Sequence, residues 1–135
     1  MTAIPTVAEP PKPYRTALPL GRAGELLAAR YLARRGFRIL ERGYRTRAGE
    51  IDLIAEESGV LVFVEVKSRT TLACGRPSEA VGPHKQRRLL RTASQYLLQH
   101  RASDRPCRFD VIEVLGDPAG GGSRVHHIRD AFQIE

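Results

Sequence analysis

Apolar residues recur at helical spacing in two segments of the chain, and each segment predicts one amphipathic helix. The first segment runs from Gly21 to Arg35, and Gly36 follows it as a stop signal. The second begins near Pro83, a favourable residue for a first helical turn, and ends near His100. The predicted buried faces consist of Gly24, Leu27, Ala28, Tyr31 and Leu32 in the first helix and of Leu89, Leu90, Ala93, Tyr96 and Leu97 in the second.

Five shorter segments predict β-strands: Phe37–Tyr44, Glu50–Ala55, Val60–Lys67, Phe109–Leu115 and Val125–Ile128. Between the second and third, Ser58-Gly59 has the composition of a tight hairpin turn. The third strand is apolar on both faces, which is typical of a central strand covered on both sides. The fifth is short, and we expect it at an edge of the sheet. The order α-β-β-β-α-β-β therefore predicts an α/β fold in which a mixed β-sheet is flanked by helices.

Residues 1–20 show neither apolar period and contain five of the nine prolines, which predicts a flexible proline-rich tail before one domain at residues 21–135. The 135 residues are 41% hydrophobic, enough for a sizeable core. No apolar run approaches the roughly 18 residues that span a bilayer, so we expect no membrane partner. Two cysteines are too few for a disulfide scaffold, and we expect a cytoplasmic protein.

Charge is segregated along the chain. The net charge of +7 is unevenly distributed: residues 21–48 and residues 84–108 each carry +6, and the acidic segment between them, residues 49–83, carries −3. Residues 1–20 add +1 and residues 109–135 add −3. Basic segments on both sides of an acidic hairpin favour a phosphate-bearing partner, although solvated helix faces are the simpler alternative. With few aromatic residues, we expect recognition of nucleic-acid backbone and shape. The basic residues predicted to contact nucleic acid are Arg22, Arg30, Arg34, Arg47, Arg69, Lys85 and Arg88.

Acidic residues interrupt the apolar pattern of the second and third strands. Glu65 and Lys67 point to the same face because side chains alternate along a strand, and Asp52 can point there from the neighbouring strand. A buried carboxylate costs several kcal/mol unless it is paired or bound to a cation. Oxygen ligands suit Mg²⁺ or Mn²⁺, so the pattern predicts a metal site at Asp52 and Glu65. Glu25, at the edge of the buried arc of the first helix, is placed to complete the surroundings of this metal ion. The alternative is a surface carboxylate that pairs with Arg22 or stabilises the start of the helix.

For two further acids, Glu50 and Asp110, the sequence favours a structural role. Glu50 begins the second strand, so we expect it to be solvated or paired with arginine. Asp110, between Phe109 and Val111, is predicted to be a hydrogen-bonding residue near a strand end. The four histidines have no metal-ligand spacing with the cysteines, which argues against a zinc site.

The segments Gly21–Glu25, Gly49–Ile54 and Phe63–Arg69 are similar to the YraN-like family of uncharacterised bacterial proteins, a resemblance that covers about residues 21–134. Asp52 and Glu65-Val66-Lys67 on a hairpin, after a helix that carries Glu25, also resemble the PD-(D/E)xK nuclease superfamily and its Holliday-junction-resolvase-like branch. Ile51 stands where the motif has proline.

The superfamily resemblance implies a restriction-endonuclease-like fold and Mg²⁺ or Mn²⁺ as cofactor. It implies Asp52 and Glu65 as metal ligands, Lys67 as the catalytic lysine and Glu25 as an accessory acid. DNA is the implied partner, and a homodimer is compatible with it. The predicted function is a Mg²⁺-dependent DNA endonuclease acting on branched or single-stranded DNA. The alternative is a catalytically inactive nuclease-fold protein that binds nucleic acid or acts as a scaffold, with the charged residues as a structural ion triad.

Overall fold

The computed structural model describes residues 20–69, 81–116 and 123–133. Within these residues, two helices and five strands follow one another in the predicted order α-β-β-β-α-β-β. They are α1 (Leu20–Arg34), β1 (Arg38–Thr46), β2 (Gly49–Glu57), β3 (Val60–Arg69), α2 (Pro83–Gln99), β4 (Cys107–Leu115) and β5 (Arg124–Phe132). Neither described helix is long and apolar enough to cross a membrane.

The five strands form one sheet in the order β1-β2-β3-β4-β5. Strands β3 and β4 are parallel because α2 connects them as a crossover, and the other neighbours are antiparallel. The predicted central position of β3 and the edge position of β5 are both confirmed. Ser58 and Gly59 form the β2–β3 turn with φ of 51° and 84°. Positive φ at both central residues is what a two-residue type I′ turn requires.

The helices pack on opposite faces of the sheet. Phe63 of β3 lies in a core cluster with Leu89 and Tyr96 of α2. Val62 and Val64, the alternate residues of the same strand, lie in the second cluster with residues of α1 such as Leu32. Each large side chain buried in this way contributes about 1.5–3 kcal/mol to folding. The two-sided burial of β3 explains why its sequence is a continuous apolar run.

Three predictions about the elements need correction. Strand β5 extends to Phe132, beyond the predicted end, because a bulge with Asp130 at a φ of 52° interrupts the alternation that the prediction relied on. Helix α1 already begins at Leu20, inside the predicted tail. Leu90 is 38% exposed, not buried. Its neighbour Leu89 is the residue that α2 buries against the sheet. The remainder of the predicted tail, residues 1–19, and most of the two long predicted loops, residues 70–80 and 117–122, lie outside the described residues.

Candidate functional site

Asp52 lies at a fork in the sheet. Strand β2 pairs with β1 as far as Gly49, but its pairing with β3 extends only from Glu57 to Leu53. Beyond Leu53, the backbone N–H of Val66 donates to Asp52 Oδ2 at 2.8 Å. The Asp52 carboxylate thus takes the place of a backbone acceptor, and this contact fixes the side chain between the two strands.

Glu65 is the buried acid of β3, with its side chain only 7% exposed. Lys85 of α2 places Nζ 2.7 Å from Glu65 Oε2. Lys67, two residues further along β3, places Nζ 3.9 Å from the same oxygen. Two lysines from different elements therefore meet one carboxylate, and the closer one belongs to the helix.

Glu25 approaches the same region from α1, on the other side of the sheet. Its carboxyl group forms a side-chain hydrogen bond with Asp52. Helix α1 comes very close to β3 beside this contact, since a Cβ atom added to Gly24 would lie 2.2 Å from Ser68 Oγ. Glycine permits that approach, and the approach brings Glu25 to Asp52.

The pKa values of Asp52 and Glu25 depend on each other, and the charge of Glu65 acts on both. Burial and then the nearby Glu65 charge raise the pKa of Asp52 to about 7, although the Val66 N–H opposes the rise. Burial also raises the pKa of Glu25, and the hydrogen bond to Asp52 opposes that rise. The same hydrogen bond raises the pKa of Asp52, whose largest cause remains burial. The charged side chains that act on the pKa of Asp52 are therefore both acids.

A cleft of about 220 Å³ opens beside Asp52 and Glu65. Strands β2 and β3 supply its acids, whereas α2 supplies two cations, Lys85 and Arg88. The remaining lining residues are Gly49, Glu50 and Leu89. Acidic and basic walls facing one cleft match what a metal ion with a bound phosphate requires.

The donor set suits only some metals. Within residues 20–69, 81–116 and 123–133, no group of three His, Cys, Asp or Glu side chains is arranged to hold a metal ion by itself. Asp52 and Glu65 offer two carboxylates, and Mg²⁺ is usually bound by one or two carboxylates together with waters and substrate phosphate. These residues therefore fit a partly hydrated Mg²⁺ or Mn²⁺ and do not fit a fully protein-coordinated zinc ion.

The predicted nucleic-acid contacts are unevenly placed. Lys85 and Arg88 line the cleft, and Arg88 Nε also donates to the Ala48 carbonyl at 3.3 Å. Arg22 is exposed and near enough to Glu25 for its charge to lower the pKa of that carboxyl. The side chain of Arg69 lies outside the described residues. The others are exposed elsewhere on α1 or after β1: Arg30, Arg34 and Arg47.

Glu50 and Asp110 both form hydrogen bonds within the chain. Glu50 Oε1 accepts a hydrogen bond from Arg45 at 3.3 Å, the arginine pairing that the sequence favoured. Asp110 is completely buried and accepts from Arg108 Nε at 2.9 Å and from the Asp130 N–H at 2.9 Å. It is the fourth residue of β4 and so does not lie at a strand end as predicted.

His127 completes the surroundings of Asp110, with Nε2 2.8 Å from Asp110 Oδ2. Burial by itself raises the pKa of Asp110, but the hydrogen bonds from His127, Arg108 and the Asp130 N–H outweigh it and lower the pKa. No sequence pattern linked His127 with Asp110, because the two residues lie on different strands.

Two features of the site were missed by sequence reasoning. The contact between Lys85 and Glu65 joins residues 20 positions apart, and Lys85 was predicted only as a nucleic-acid contact. Glu113 is completely buried in β4, in register with Lys67 of β3 and His126 of β5. An acid inside the apolar segment Val111–Val114 was the available signal for Glu113.

Comparison with known proteins identifies the family. Residues 24–114 match the model described as "Uncharacterised protein family UPF0102". The chain is 53% identical over 114 residues to a UPF0102 protein of Anaeromyxobacter dehalogenans, a match that covers 84% of this chain and 83% of the relative. A UPF0102 protein of Symbiobacterium thermophilum is 52% identical over 113 residues, covering 84% and 95%. One from Chlorobium limicola is 46% identical over 120 residues, covering 86% and 93%.

These matches confirm the YraN-like resemblance at the level of the family, whereas membership of the nuclease superfamily stays a prediction. The sequence segment matched by the family model contains Glu25, Asp52, Glu65, Lys67 and both cleft cations. The chain belongs to the uncharacterised protein family UPF0102.

Proposed function

We propose that this protein is a Mg²⁺- or Mn²⁺-dependent endonuclease that hydrolyses phosphodiester bonds in branched or single-stranded DNA. The observation that carries the proposal is the joint placement of Asp52 and Glu65 beside an open cleft to which α2 contributes Lys85 and Arg88. Two carboxylates can hold a metal ion and two cations can bind phosphate, and both functions are used in metal-assisted phosphodiester hydrolysis.

Each side chain has a role that follows from its position. Asp52 and Glu65 would hold the cation, which when bound supplies a Lewis acid for the phosphate. The ammonium of Lys67, 3.9 Å from Glu65, would orient the attacking water and stabilise charge that develops on the phosphate oxygens. Glu25 would hold Asp52 in place through their hydrogen bond. Arg88 would bind a phosphate of the DNA backbone.

Cleavage assays on flap, junction, single-stranded and duplex DNA test the proposal. With Mn²⁺, the wild-type protein is expected to cut at least one of these substrates, and Glu65→Gln and Lys67→Met are each expected to abolish cutting. Glu57→Gln is the matched control, since Glu57 ends β2 of the same hairpin and pairs with Arg108 at 2.9 Å instead of lining the cleft. Cutting that survives both site substitutions would contradict the assignment of the site.

A second candidate is a nucleic-acid-binding or scaffold protein with this fold and no catalysis. The ion pair between Lys85 and Glu65 favours it, because an internal cation already neutralises one of the two acids. This candidate predicts DNA binding that weakens steeply with salt, without Mn²⁺ uptake and without cutting. A protein-interaction module, the third possibility, predicts no DNA binding even at low salt.

A further inference from the structure

The ammonium of Lys85 contacts one oxygen of Glu65, the acid that the proposed function treats as a metal ligand. Its Nζ lies 2.7 Å from Glu65 Oε2, while the second oxygen donor of the site, Asp52, is held by the Val66 N–H and Glu25. A divalent cation binds a carboxylate oxygen at about 2.1 Å. A cation bound by the Glu65 carboxylate would therefore lie within a few ångströms of the Lys85 ammonium, and the two positive charges would repel.

Of the two lysines at Glu65, Lys85 is the one with freedom to leave. Lys67 extends from β3 itself, is 28% exposed and stands at the longer distance of 3.9 Å. The Lys85 side chain extends from the first turn of α2, is 44% exposed and lines the open cleft beside Arg88. An ammonium on a four-carbon stem turns readily toward another anion in the same cleft.

We propose that Lys85 is a built-in counter-cation of Glu65, which a divalent metal ion displaces, and that the displaced ammonium then binds a substrate phosphate together with Arg88. The inference rests on the proposed function, because it assumes that Glu65 is a metal ligand. Lys85 would thus neutralise Glu65 when the metal is absent and link metal binding to phosphate binding.

The inference predicts opposite changes in two affinities when the ammonium is removed. Lys85→Met retains the length of the side chain but removes the competitor at Glu65, so Mn²⁺ is expected to bind about fivefold more tightly, the size of one partly exposed ion pair. The same variant is expected to bind DNA about fivefold more weakly when Ca²⁺ replaces Mn²⁺ to prevent cutting. A purely structural ion pair would not tighten metal binding.

Calorimetric titration of the full chain with Mn²⁺ measures the first effect, and fluorescence anisotropy with labelled DNA measures the second. Arg87→Met is the matched control: Arg87 is an exposed cation on the same helix and does not line the cleft. It is expected to change Mn²⁺ affinity by less than about twofold. Lys85→Gln gives an independent test if Lys85→Met is poorly folded by circular dichroism.

The outcomes separate the inference from the proposed function. Mn²⁺ binding by the wild type that is unchanged or weakened in Lys85→Met overturns the inference alone. Mn²⁺ binding that appears only in the Lys85 variants also overturns the inference, because the metal ion would then not displace Lys85 in the wild type. Absence of Mn²⁺ binding from the wild type and from both Lys85 variants overturns the proposed function and the inference with it. If Lys85→Met binds Mn²⁺ more tightly but binds DNA as well as the wild type, the displaced ammonium does not bind a substrate phosphate, and that part of the inference is overturned.

Discussion

Two aspartates in one sheet have opposite electrostatic surroundings. Asp110 accepts hydrogen bonds from Arg108 and the Asp130 N–H and contacts His127, and together these partners lower its pKa despite burial. Asp52 accepts one backbone N–H and lies near Glu65, and burial and this second acid raise its pKa to about 7. At Asp110 the chain itself supplies a cation, Arg108, that stabilises the carboxylate. At Asp52 the neighbouring charges that act on the pKa are acids.

The cations around Asp110 also connect separate parts of the fold. Arg108 reaches Glu57 at 2.9 Å, and Arg129 of β5 reaches the same carboxylate at 2.6 Å, so the end of β2 is tied to β4 and β5. His127 stacks edge-on with Tyr31 of α1. Burial alone therefore does not distinguish a structural acid from a functional one. For the two aspartates, the difference lies in the neighbouring groups: hydrogen-bond donors and a cation lower the pKa of Asp110, whereas burial and two nearby acids raise that of Asp52.

The largest expected contrast between the two regions is in stability. Asp110→Ala leaves Arg108 without its buried partner and the Asp130 N–H without its acceptor, so it should lower the free energy of unfolding by about 3–5 kcal/mol. Asp52→Asn removes a charge that burial disfavours, so at pH 8 it should not lower the free energy of unfolding and should raise it. Urea unfolding at pH 8 without metal measures both. Equal losses would show that the two acids are equivalent.

The next prediction concerns the approach of α1, which brings Glu25 to Asp52. Gly24→Ala should cost about 1–3 kcal/mol of stability, because the new methyl group would clash with Ser68 Oγ. That hydroxyl is buried without a hydrogen-bond partner among the residues the structure describes, so Ser68→Ala should cost little by itself. Adding Ser68→Ala to Gly24→Ala should recover most of the loss in urea unfolding. If the double variant is no more stable than Gly24→Ala, a clash with Ser68 Oγ is not the cause of the loss.

The smallest effect expected is a difference in how stability depends on pH. The lowered pKa of Asp110 means that its contribution is complete above the pKa of the unfolded chain and is lost as the pH falls through the folded value. The raised pKa of Asp52 means the reverse: the folded protein holds a proton that the unfolded chain releases, and this contribution is lost as the pH rises toward 7.

Between pH 5 and 7, metal-free wild type should therefore lose stability through Asp52 by at most about 1.4 kcal/mol per pH unit, the limit for one proton. Asp52→Asn should show a flatter dependence over that range in urea unfolding. An identical slope in the two proteins would mean that Asp52 titrates normally.

Much of the fold followed from local patterns in the sequence. The two helices, the five strands and the Ser58-Gly59 turn depend on periods of a few residues, which the sequence displays directly. The bulge near Asp130 breaks such a period and shortened the predicted β5. Leu90 was assigned to the core because a helical wheel does not tell how wide a face the sheet will cover.

The parts of the candidate site that depend on local pattern were predictable as well, and the contacts between separate elements were not. Asp52 and Glu65 lie on one hairpin, where strand alternation brings them near each other. The contact of Lys85 with Glu65 and that of His127 with Asp110 depend on how separate elements pack, which no local pattern encodes. The electrostatic contrast between the two aspartates therefore emerges only from the three-dimensional structure.

Mn²⁺ uptake by three proteins, measured by calorimetry at pH 8, tests most directly whether the negative charge at Asp52 serves to bind a cation. The account predicts one Mn²⁺ per chain for the wild type, retained in Glu57→Gln, which alters the Asp110 region, and lost in Asp52→Asn. Absence of uptake by the wild type, or equal uptake by the wild type and Asp52→Asn, would contradict it.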